Sequence, residues 1–579
     1  MARVLISAAH KSSGKTTITV GLCAALSARG LAVQPFKKGP DFIDPMWLTQ
    51  ASGRSCFNLD PYLSNSDQIS SLFGRWAATA DISIVEGNKG LYDGLALDGS
   101  NSNAALANLL DLQVVLVLDA RGMTRGIAPL ILGYQAFDSR IRIAGVILNQ
   151  LGGARHESKL RAVIEHYTNV KVLGAVAHDP LLGVLERHLG LMPSRELADP
   201  QTLVQSIGER ISQQVDLSEL LQVARGVEPL PLTPVESAKA SSSQDRLRIG
   251  VAVDQAFGFY YPDDLQALSD AGADIVRFDA LRAPRLPDID GLFIGGGFPE
   301  VFMAELSANE AMRNSIREAV EQGLPVYAEC GGLMYLARSL RWKDQQFNMV
   351  GALPADVVMH ERPVGRGYVS LKLTPQAPWR TCDGSGSVRG HEFHYSSLEN
   401  VAPDVKFAYE VTRGHGVDGD HDGLVYRNVL ASYTHLRTQA GSNWAPAFAA
   451  FVRSVKESKQ HQERTHQPFC VHVKDQSIAT DSEGYLLQVD QWSEDFARAR
   501  AQMEGLELTD AHWEVIYFLR DYYEEHQVQA QVRFMIKHFT ETWGVERGNN
   551  HNLHAMFPIG GPQKQGNRLA GLWKTKGEH

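Results

Sequence analysis

Cysteine is scarce in this chain of 579 residues, and no two cysteines lie close enough in sequence to form a CxxC pair. The five cysteines are Cys23, Cys56, Cys330, Cys382 and Cys470. A disulfide framework and a structural zinc site both need paired or clustered cysteines. The spacing therefore argues against both.

Long apolar runs are also absent. The longest runs have the length of a strand, as at 112–118, whereas a membrane-spanning helix needs roughly 20 residues. The N-terminal residues MARVLISAAH lead directly into a strand pattern and lack the apolar region of a signal peptide. The sequence therefore predicts a cytoplasmic protein without a membrane partner.

Positive charge is not in excess. The chain has 56 Lys and Arg against 66 Asp and Glu, which gives a formal net charge of -10. Nucleic-acid binding depends on a basic field, so this balance argues against a nucleic-acid partner, although single phosphates can still be held locally. The length allows about three or four domains.

Short apolar runs alternate with helical segments such as 17–27 in the first part of the chain. The predicted buried parallel strands are 4–8, 82–85, 114–118 and 143–148. A stretch rich in Pro and Ser then predicts a linker, and a second α/β pattern follows it. The predicted organisation is an α/β domain at 1–225, a linker at 226–246, an α/β domain at 247–455, a linker at 456–476 and a small, mainly helical domain at 477–579.

The first strand is followed by AHKSSGKTT at 9–17, a Walker A loop with Ala9 in place of its first glycine. Backbone N–H groups and a helix N-terminus in such a loop surround the phosphates of ATP. Lys15 is predicted to reach the β and γ oxygens, and the Thr16 hydroxyl is placed for Mg²⁺. The predicted nucleotide-binding residues are Ser12, Ser13, Gly14, Lys15, Thr16 and Thr17.

Two further motifs follow other predicted strands of this domain. In EGNKGLYDG, at 86–94, Glu86 comes directly after a buried strand and suits a Walker B-like Mg²⁺ ligand. In FKKGPDFIDP, at 36–45, Asp41 is a candidate for binding Mg²⁺ or orienting an acid substrate. A charged surface turn explains this second motif equally well when it is taken alone.

The second α/β domain contains YAECGGLMYL at 327–336, in which a strand leads into Cys330, two glycines and a helix. This is the form of a nucleophile elbow, which exposes a thiol at a sharp turn. FIGGGFPE, at 293–300, offers backbone N–H groups for an oxyanion hole. His435 is the predicted general base, with His391 and His394 as alternatives.

With these motifs the chain closely resembles the cobyrinate (or hydrogenobyrinate) a,c-diamide synthase family, which includes the DsrN-type sirohaem amidases. The resemblance covers about residues 1–455. Its further markers are GVILN at 145–149, LERHLGL at 185–191, FGFYYPDDL at 257–265 and GHEFHYS at 390–396.

This resemblance implies a dethiobiotin-synthetase-like P-loop domain and a class I, triad-type glutamine amidotransferase domain. It also implies an acyl phosphate on a tetrapyrrole acetate group, displaced by ammonia from L-glutamine, with ATP as co-substrate and Mg²⁺ as cofactor. The family's nucleophile aligns with Cys330, and its histidine aligns with His435. Its synthetase-site residues fall on Asp41, Phe42, Ile43, Glu86 and Asp93.

The chain departs from the family's pattern at three positions. Many members have Tyr and Leu where this chain has Phe42 and Ile43, so the residues expected to bind the substrate lack a hydroxyl here. Many members also read HLH where this chain has Arg437 after His435 and Leu436. No acidic third member of the triad is visible beside His435.

The C-terminal domain resembles the DsrC/TusE sulfur-carrier family over about residues 480–579. Its markers include DSEGYL at 481–486, LTDAHWEVIYFLRDYY at 508–523 and FPIGGPQKQGNRLAGL at 557–572. The positions of that family's two cysteines are Asn567 and Glu578 here. With no cysteine in this stretch, sulfur carriage is excluded and a docking or structural role remains.

The predicted activity is glutamine- and ATP-dependent amidation of a modified tetrapyrrole. The fusion to a DsrC-like domain favours sirohaem or its precursor as substrate and dissimilatory sulfite reductase as partner, with cobyrinate or hydrogenobyrinate as the alternative substrates. A homodimer is expected. The alternative function is a nucleotide-binding scaffold that docks to the reductase. A dethiobiotin-type carboxylase leaves Cys330 unexplained.

Overall fold

The computed structural model describes residues 1–179, 186–187, 190–197, 199–228, 245–380, 386–438, 442–466, 469–474 and 476–574. Most of the predicted linker at 226–246, part of LERHLGL, Cys382 and Glu578 lie outside the described residues. The chain divides into two compact units, Met1–Lys456 and Glu457–His579.

The first unit begins with a seven-stranded parallel sheet, as the apolar runs predicted. Its strands are β1 Ala2–Ala8, β2 Val33–Lys38, β3 Phe57–Leu59, β4 Ile82–Glu86, β5 Gln113–Asp119, β6 Ile143–Leu151 and β7 Lys171–Ala177. Their order across the sheet is β3-β2-β4-β1-β5-β6-β7. β1 lies inside the sheet and is buried along its whole length, which explains its continuous apolar sequence.

Within the described residues, eight helices accompany this sheet. They are α1 Lys15–Ala28, α2 Ile43–Ser52, α3 Ser66–Ala77, α4 Asn103–Leu109, α5 Ile127–Phe137, α6 Ala154–Tyr167, α7 Pro200–Gln214 and α8 Leu217–Arg225. A short ribbon, β8 Glu186–Arg187 and β9 Gly190–Leu191, precedes α7. Val4 and Ile6 join one apolar cluster and Leu5 the other, because alternate residues of a strand point to opposite faces.

The second part of the first unit has a ten-stranded mixed sheet in the order β12-β10-β13-β15-β24-β23-β22-β19-β20-β25. Its strands are β10 Leu247–Ala252, β12 Ala273–Phe278, β13 Gly291–Ile294, β15 Val326–Glu329, β19 Gly365–Leu373, β20 Ser387–His394, β22 Lys406–Arg413, β23 His421–Tyr426, β24 Val429–Ser432 and β25 His435–Leu436. Following this order, each strand from β12 to β24 pairs parallel with the next one. The remaining pairs, from β24 with β23 to β20 with β25, are antiparallel.

The described residues of this part also form two smaller sheets and five helices, of which the last continues beyond Lys456. The sheets comprise β11 Phe257–Phe259 with β14 Gly296–Gly297, and β16 Ser339–Trp342, β17 Gln345–Asn348, β18 Asp356–Met359 and β21 Ser396–Glu399. The helices are α9 Pro262–Asp270, α10 Met303–Ala308, α11 Glu310–Glu321, α12 Gly331–Leu336 and α13 Trp444–His466.

The second unit is mainly helical, as predicted. It contains the hairpin β26 Phe469–Val473 and β27 Gln476–Thr480 and the helices α14 Glu494–Met503, α15 Asp510–His526, α16 Val532–Trp543, α17 Asn550–Met556 and α18 Asn567–Leu569. β26 starts inside the segment 456–476, and the domain boundaries remain a prediction. In the described part of the chain, no helix combines the length and apolarity needed to cross a membrane.

Candidate active sites

The phosphate loop connects β1 to α1. Ser12 and Gly14 both have positive φ angles, 63° and 84°, and the Gly14 conformation is one that glycine adopts without strain. The Asn149 side-chain amide donates to the Ser13 carbonyl oxygen over 2.9 Å, and a Cβ on residue 14 would overlap that amide. The loop is therefore held by the end of β6, and Thr17 follows it in the first turn of α1.

Lys15, Thr16 and Glu86, three of the predicted site residues, lie close together. The Thr16 hydroxyl donates to Glu86 Oε1 over 2.7 Å. The Lys15 side chain is nearly buried, and Nζ lies 3.5 Å from the His10 carbonyl oxygen. Burial, and then the nearby Lys37 ammonium, lower the pKa of Lys15.

Lys37 is a site residue whose position the sequence did not reveal. Its ammonium lies 2.5 Å from Asp44 Oδ2, 2.8 Å from Glu86 Oε1 and 3.9 Å from Asp41 Oδ2. Burial alone would lower the pKa of Lys37, but these carboxylates outweigh burial and raise it. The feature of the sequence that could have indicated Lys37 is the pair of lysines at the end of β2. This strand pairs parallel with β4, which ends in Glu86.

Asp41 lies beside Lys37 at the start of α2. Its Oδ1 accepts hydrogen bonds from the backbone N–H groups of Ile43 at 2.9 Å and Asp44 at 3.2 Å. Burial, followed by the Asp44 carboxylate, raises the pKa of Asp41 to about 7. Asp41 therefore fixes the N-terminus of α2 and faces the charged cluster with its second oxygen.

The oxygen atoms around Thr16 suit Mg²⁺ shared with a nucleotide. Glu86 Oε2 is buried without a hydrogen-bond partner, so this oxygen is available to a cation. Among the described residues, no three His, Cys, Asp or Glu side chains form a metal site by themselves. Mg²⁺ is usually bound by one or two carboxylates together with substrate phosphates and water.

Asp93 lies in the loop after β4, which packs against the phosphate loop. Its Oδ2 accepts from the Gly90 backbone N–H over 2.9 Å, and its side chain is exposed. A Cβ on Gly90 would lie 2.6 Å from the Ala9 carbonyl oxygen, so the two loops make close backbone contact.

Cys330 lies on a strained turn between β15 and α12. Its φ is 47° and its ψ is -100°, a conformation that is costly for a residue with a Cβ. Its backbone N–H donates to the Ser432 carbonyl oxygen over 2.7 Å, which fixes the turn to β24. A Cβ on Gly332 would overlap the Ile294 carbonyl oxygen, so the turn needs glycine there.

Glu329 is the acidic partner of His435 that sequence reasoning missed. Its Oε2 lies 3.2 Å from His435 Nδ1, and its Oε1 accepts from the Leu436 backbone N–H and the Tyr327 hydroxyl at 2.9 and 2.7 Å. This fixed carboxylate orients the imidazole. The only local signal was that Glu329 directly precedes the nucleophile.

The glycines of FIGGGFPE lie between His435 and the elbow. A Cβ on Gly296 would lie 2.6 Å from His435 Cε1, and one on Gly331 would lie 3.0 Å from the Gly297 backbone nitrogen. The loop thus approaches both the predicted base and the turn that carries the thiol. This is the position expected of oxyanion-hole donors.

The Cys330 thiol is buried, with 7% of the residue exposed. Burial, and then the Glu300 carboxylate, raise the pKa of this thiol above its ordinary value. The resting side chain is therefore a neutral thiol, and a base is needed to take its proton.

The two alternative bases have other partners. His391 Nδ1 lies 3.3 Å from the Tyr261 hydroxyl, and its ring is stacked on His435 with centroids 4.9 Å apart. His394 Nδ1 lies 2.8 Å from the Ser396 carbonyl oxygen, and its ring is stacked on Tyr433. Burial, followed by His435 and Arg437, lowers the pKa of His391 well below its ordinary value.

Phe42 and Ile43, the predicted substrate-binding residues, lie in different surroundings. The Phe42 ring contacts His435, with centroids 5.0 Å apart, and therefore lies at the glutaminase side. Ile43 packs against the apolar cluster beneath α1 and α2. Only Phe42 thus lies where the two parts of the first unit meet.

Polar contacts also connect these two parts. Arg437 is buried and donates to Asp263 Oδ2 at 2.9 Å and to the Asn58 carbonyl oxygen at 2.5 Å. The Tyr368 hydroxyl donates to Asp60 Oδ2 at 2.9 Å. The arginine that replaces the second histidine of HLH therefore contacts the nucleotide-binding part.

In the second unit, Asn567 is the residue that the sequence resemblance aligned with a cysteine of the DsrC/TusE family. It is buried, and its amide donates to the Gln563 carbonyl oxygen over 2.6 Å. Cys470, a residue of β26, also belongs to this compact unit.

Three protein families match successive parts of the chain. Residues 5–189 match the CobQ/CobB/MinD/ParA nucleotide binding domain, and residues 248–442 match the CobB/CobQ-like glutamine amidotransferase domain. Residues 472–577 match the DsrC like protein family. The α/β P-loop, α/β glutaminase and helical DsrC-like organisation predicted from the sequence is thereby confirmed.

Among solved structures, Allochromatium vinosum DsrC is 38% identical to this chain; the match covers 20% of this chain and all of that one, with a TM-score of 0.18. Two relatives are each named cobyrinate a,c-diamide synthase. That of Magnetococcus marinus is 46% identical over 78% of this chain and 97% of its own length. That of Methanosarcina acetivorans is 44% identical over 75% of this chain and 92% of its own length. The chain belongs to the cobyrinate a,c-diamide synthase family.

Proposed function

We propose that this chain amidates acetate carboxylates of a modified tetrapyrrole through an acyl phosphate, with glutamine as nitrogen donor and ATP as energy source. One observation carries the proposal: Cys330 and the Glu329–His435 pair lie in the same compact unit as the Lys15–Thr16–Glu86 cluster. An ammonia-producing site and a phosphoryl-transfer site in one unit suit a glutamine-dependent ligase.

In the glutaminase half-reaction, Cys330 Sγ attacks the side-chain amide carbon of glutamine while His435 takes the thiol proton. Glu329 holds the imidazole in the orientation that this transfer needs. The tetrahedral oxyanion accepts hydrogen bonds from the loop at 295–297. His435 then protonates the leaving nitrogen, ammonia departs, and water hydrolyses the thioester to glutamate.

In the synthetase half-reaction, the loop at 9–17 holds the phosphates of ATP and Lys15 neutralises charge on the transferred group. A substrate carboxylate oxygen attacks the γ-phosphorus, ADP leaves, and an acyl phosphate forms. Ammonia then attacks the acyl carbon and inorganic phosphate leaves. ATP is needed because a carboxylate and ammonia at neutral pH otherwise remain an ammonium salt.

Thr16, Glu86 and Asp41 are the residues proposed to hold Mg²⁺ with the nucleotide. When bound, Mg²⁺ neutralises charge on the β and γ phosphates. Lys37, ion-paired with Asp44 and Glu86, supplies a fixed positive charge at the same place. Asp93, on the loop that adjoins the phosphate loop, is proposed to act on the substrate in this half-reaction.

The substrate is proposed to be sirohaem, its precursor, cobyrinate or hydrogenobyrinate. The names of the relatives favour cobyrinate, whereas the DsrC-like match at 472–577 favours sirohaem. Mass spectrometry after incubation with glutamine, ATP and each compound decides between them. The expected product has an amino group in place of a hydroxyl on each converted carboxyl, and no product from any of them would contradict the proposal.

Two variants test the division of labour. Cys330→Ala is expected to lose glutamine-dependent amidation and to retain amidation with ammonium salts, because only the ammonia source is removed. Lys15→Ala is expected to lose ATP turnover with either nitrogen source while retaining glutaminase activity. Failure of ammonium to rescue a folded Cys330→Ala chain would contradict the assignment.

The DsrC-like match also favours a second role, in which residues 472–577 dock to dissimilatory sulfite reductase. Binding of the full chain to the purified reductase, measured by interferometry, tests this role. The expected homodimer is tested by light scattering of the same preparation of the full chain, without the reductase. No binding at micromolar concentration would contradict the docking role and leave the amidation proposal untouched.

A further inference from the structure

Phe42, from the motif at 36–45, brings the nucleotide-binding part into contact with the glutaminase site. Its ring centroid lies 5.0 Å from that of His435 and 5.5 Å from that of His391. It also lies parallel to Phe259 at 5.3 Å and 4.6 Å from Tyr261. Four rings of the glutaminase part thus surround one ring from the nucleotide-binding part.

Through Phe259, Phe42 also reaches the loop that offers the oxyanion-hole donors. Phe259 pairs with Gly296 in the two-stranded sheet β11–β14 and packs edge-on against Phe298 at 5.2 Å. Phe42 therefore contacts the proton carrier directly and the oxyanion loop through one intervening side chain.

The residues on either side of Phe42 belong to the nucleotide site. Asp41 faces Lys37 at 3.9 Å, and Asp44 Oδ2 accepts from Lys37 and lies 3.4 Å from the Thr16 hydroxyl oxygen. The segment at 41–44 therefore has two carboxylates beside Lys37 in the nucleotide site. Its aromatic side chain, Phe42, lies beside His435 in the glutaminase site.

The chemistry requires ammonia to cross this junction without entering water. Each cycle converts one glutamine and one water into glutamate and ammonia, and this ammonia attacks one acyl phosphate to give one amide and one phosphate. Ammonia that reaches bulk solvent at neutral pH becomes ammonium, which is not a nucleophile. The rings of Phe42 and Phe259 are stacked and apolar, so they can exclude water from the contact between the two sites.

We propose that Phe42 is the coupling residue of this enzyme: its ring closes the junction to water and directs ammonia from Cys330 to the acyl phosphate. The inference rests on the proposed amidation and assigns to Phe42 a role in nitrogen transfer. Direct binding of the tetrapyrrole by Phe42 is the competing role.

The test measures glutamate released and amide formed in the same sample, at saturating glutamine, ATP and tetrapyrrole. The tetrapyrrole is sirohaem or cobyrinate, whichever the wild-type chain converts. The wild-type ratio of glutamate to amide is expected to be near one. For Phe42→Ala the ratio is expected to rise about threefold or more, because an opened site loses its intermediate to water.

Three further variants keep the test decisive. Phe42→Tyr retains the ring and is expected to keep the wild-type ratio of glutamate to amide. Phe42→Leu serves if Phe42→Ala does not fold, and its ratio is expected to lie between the wild-type value and that expected for Phe42→Ala. Phe534→Ala removes an exposed ring in the second unit and is expected to leave the ratio unchanged.

A different pattern of results would overturn the inference. If Phe42 only binds the tetrapyrrole, Phe42→Ala raises the KM for that substrate equally with glutamine and ammonium salts, and the ratio stays near one at saturation. A ratio for Phe42→Tyr as high as for Phe42→Ala also overturns it. A wild-type chain that forms no amide contradicts the proposed function itself, and the inference with it.

Discussion

At the scale of single residues, Glu329 decides whether His435 can act as a base. Its two oxygens accept from the imidazole, a backbone N–H and a tyrosine hydroxyl, so its position is fixed before substrate binds. Replacing it by glutamine keeps the shape but removes the charge that stabilises an imidazolium. The carboxylate therefore acts through the histidine as a positioning residue.

Glu329→Gln is expected to lower the glutaminase kcat by about 100-fold or more, as loss of the acid does in comparable triads, with little change in the KM for glutamine. Amidation with ammonium salts should stay at the wild-type rate. Steady-state kinetics with each nitrogen source measure both effects. The control is Glu310→Gln, which removes an exposed carboxylate from the same domain; equal loss with ammonium would assign Glu329 to folding instead.

The raised pKa of the Cys330 thiol gives a prediction about pH. A raised pKa means that the thiol is protonated at neutral pH and that its thiolate fraction increases as pH rises. The rate of Cys330 alkylation by iodoacetamide without glutamine should therefore increase about tenfold per pH unit from 7 to 9. Peptide mapping separates Cys330 from other cysteines, and a plateau in this range would indicate a thiolate–imidazolium pair.

Sequence reasoning could propose the residues whose surroundings are local, but not those that depend on pairing between distant segments. Cys330 was predicted from its own turn, and Lys15 and Thr16 from their own loop. Glu329 meets His435 across 106 residues of sequence, because β15 pairs with β24. Lys37 meets Glu86 because β2 and β4 are neighbours, and one sequence does not reveal strand order.

At the scale of elements, the nucleophile turn depends on small residues. Gly332→Ala would place a Cβ against the Ile294 backbone oxygen, which cannot move without shifting β13. We expect the unfolding free energy of the first unit to fall by about 3 kcal/mol, as for severe overpacking, with loss of glutaminase activity. Thermal denaturation and glutamate release measure the two effects.

The matched control is Gly133→Ala in α5, where the same added Cβ meets open space. Alanine favours a helix more than glycine does, so stability should rise by about 0.5–1 kcal/mol with activity unchanged. A Gly332→Ala chain as stable and active as the wild type would show that the elbow tolerates a side chain.

Elements were predicted best where burial on both faces makes a strand continuously apolar. The four strands foreseen in the first sheet are of this kind and lie within or near the observed bounds. The antiparallel strands from β19 to β23 have mixed burial patterns, so their sequences did not predict a ten-stranded sheet. Their positions depend on cross-strand pairing, and β25 brings His435 beside His391 only through that pairing.

At the scale of the whole molecule, the chemistry proposed for this chain is confined to Met1–Lys456. The Magnetococcus marinus relative aligns over 97% of its own length within 455 residues of this chain. Its named activity therefore needs a protein of about the size of the first unit. The second unit is an addition to this arrangement, and it has Asn567 at the position predicted to match a cysteine of the DsrC/TusE family.

A chain ending at His466 keeps α13 at full length and removes the DsrC-like unit. Because the proposed catalytic residues and the Phe42 junction remain, we expect its kcat/KM for amidation to stay within about twofold of the wild-type value, a change below 0.5 kcal/mol. The proposed binding to sulfite reductase should be lost in the same variant. A truncated chain that folds and hydrolyses ATP but forms no amide would place part of the synthetase chemistry in the second unit, and the division of labour argued for the two units would then be wrong.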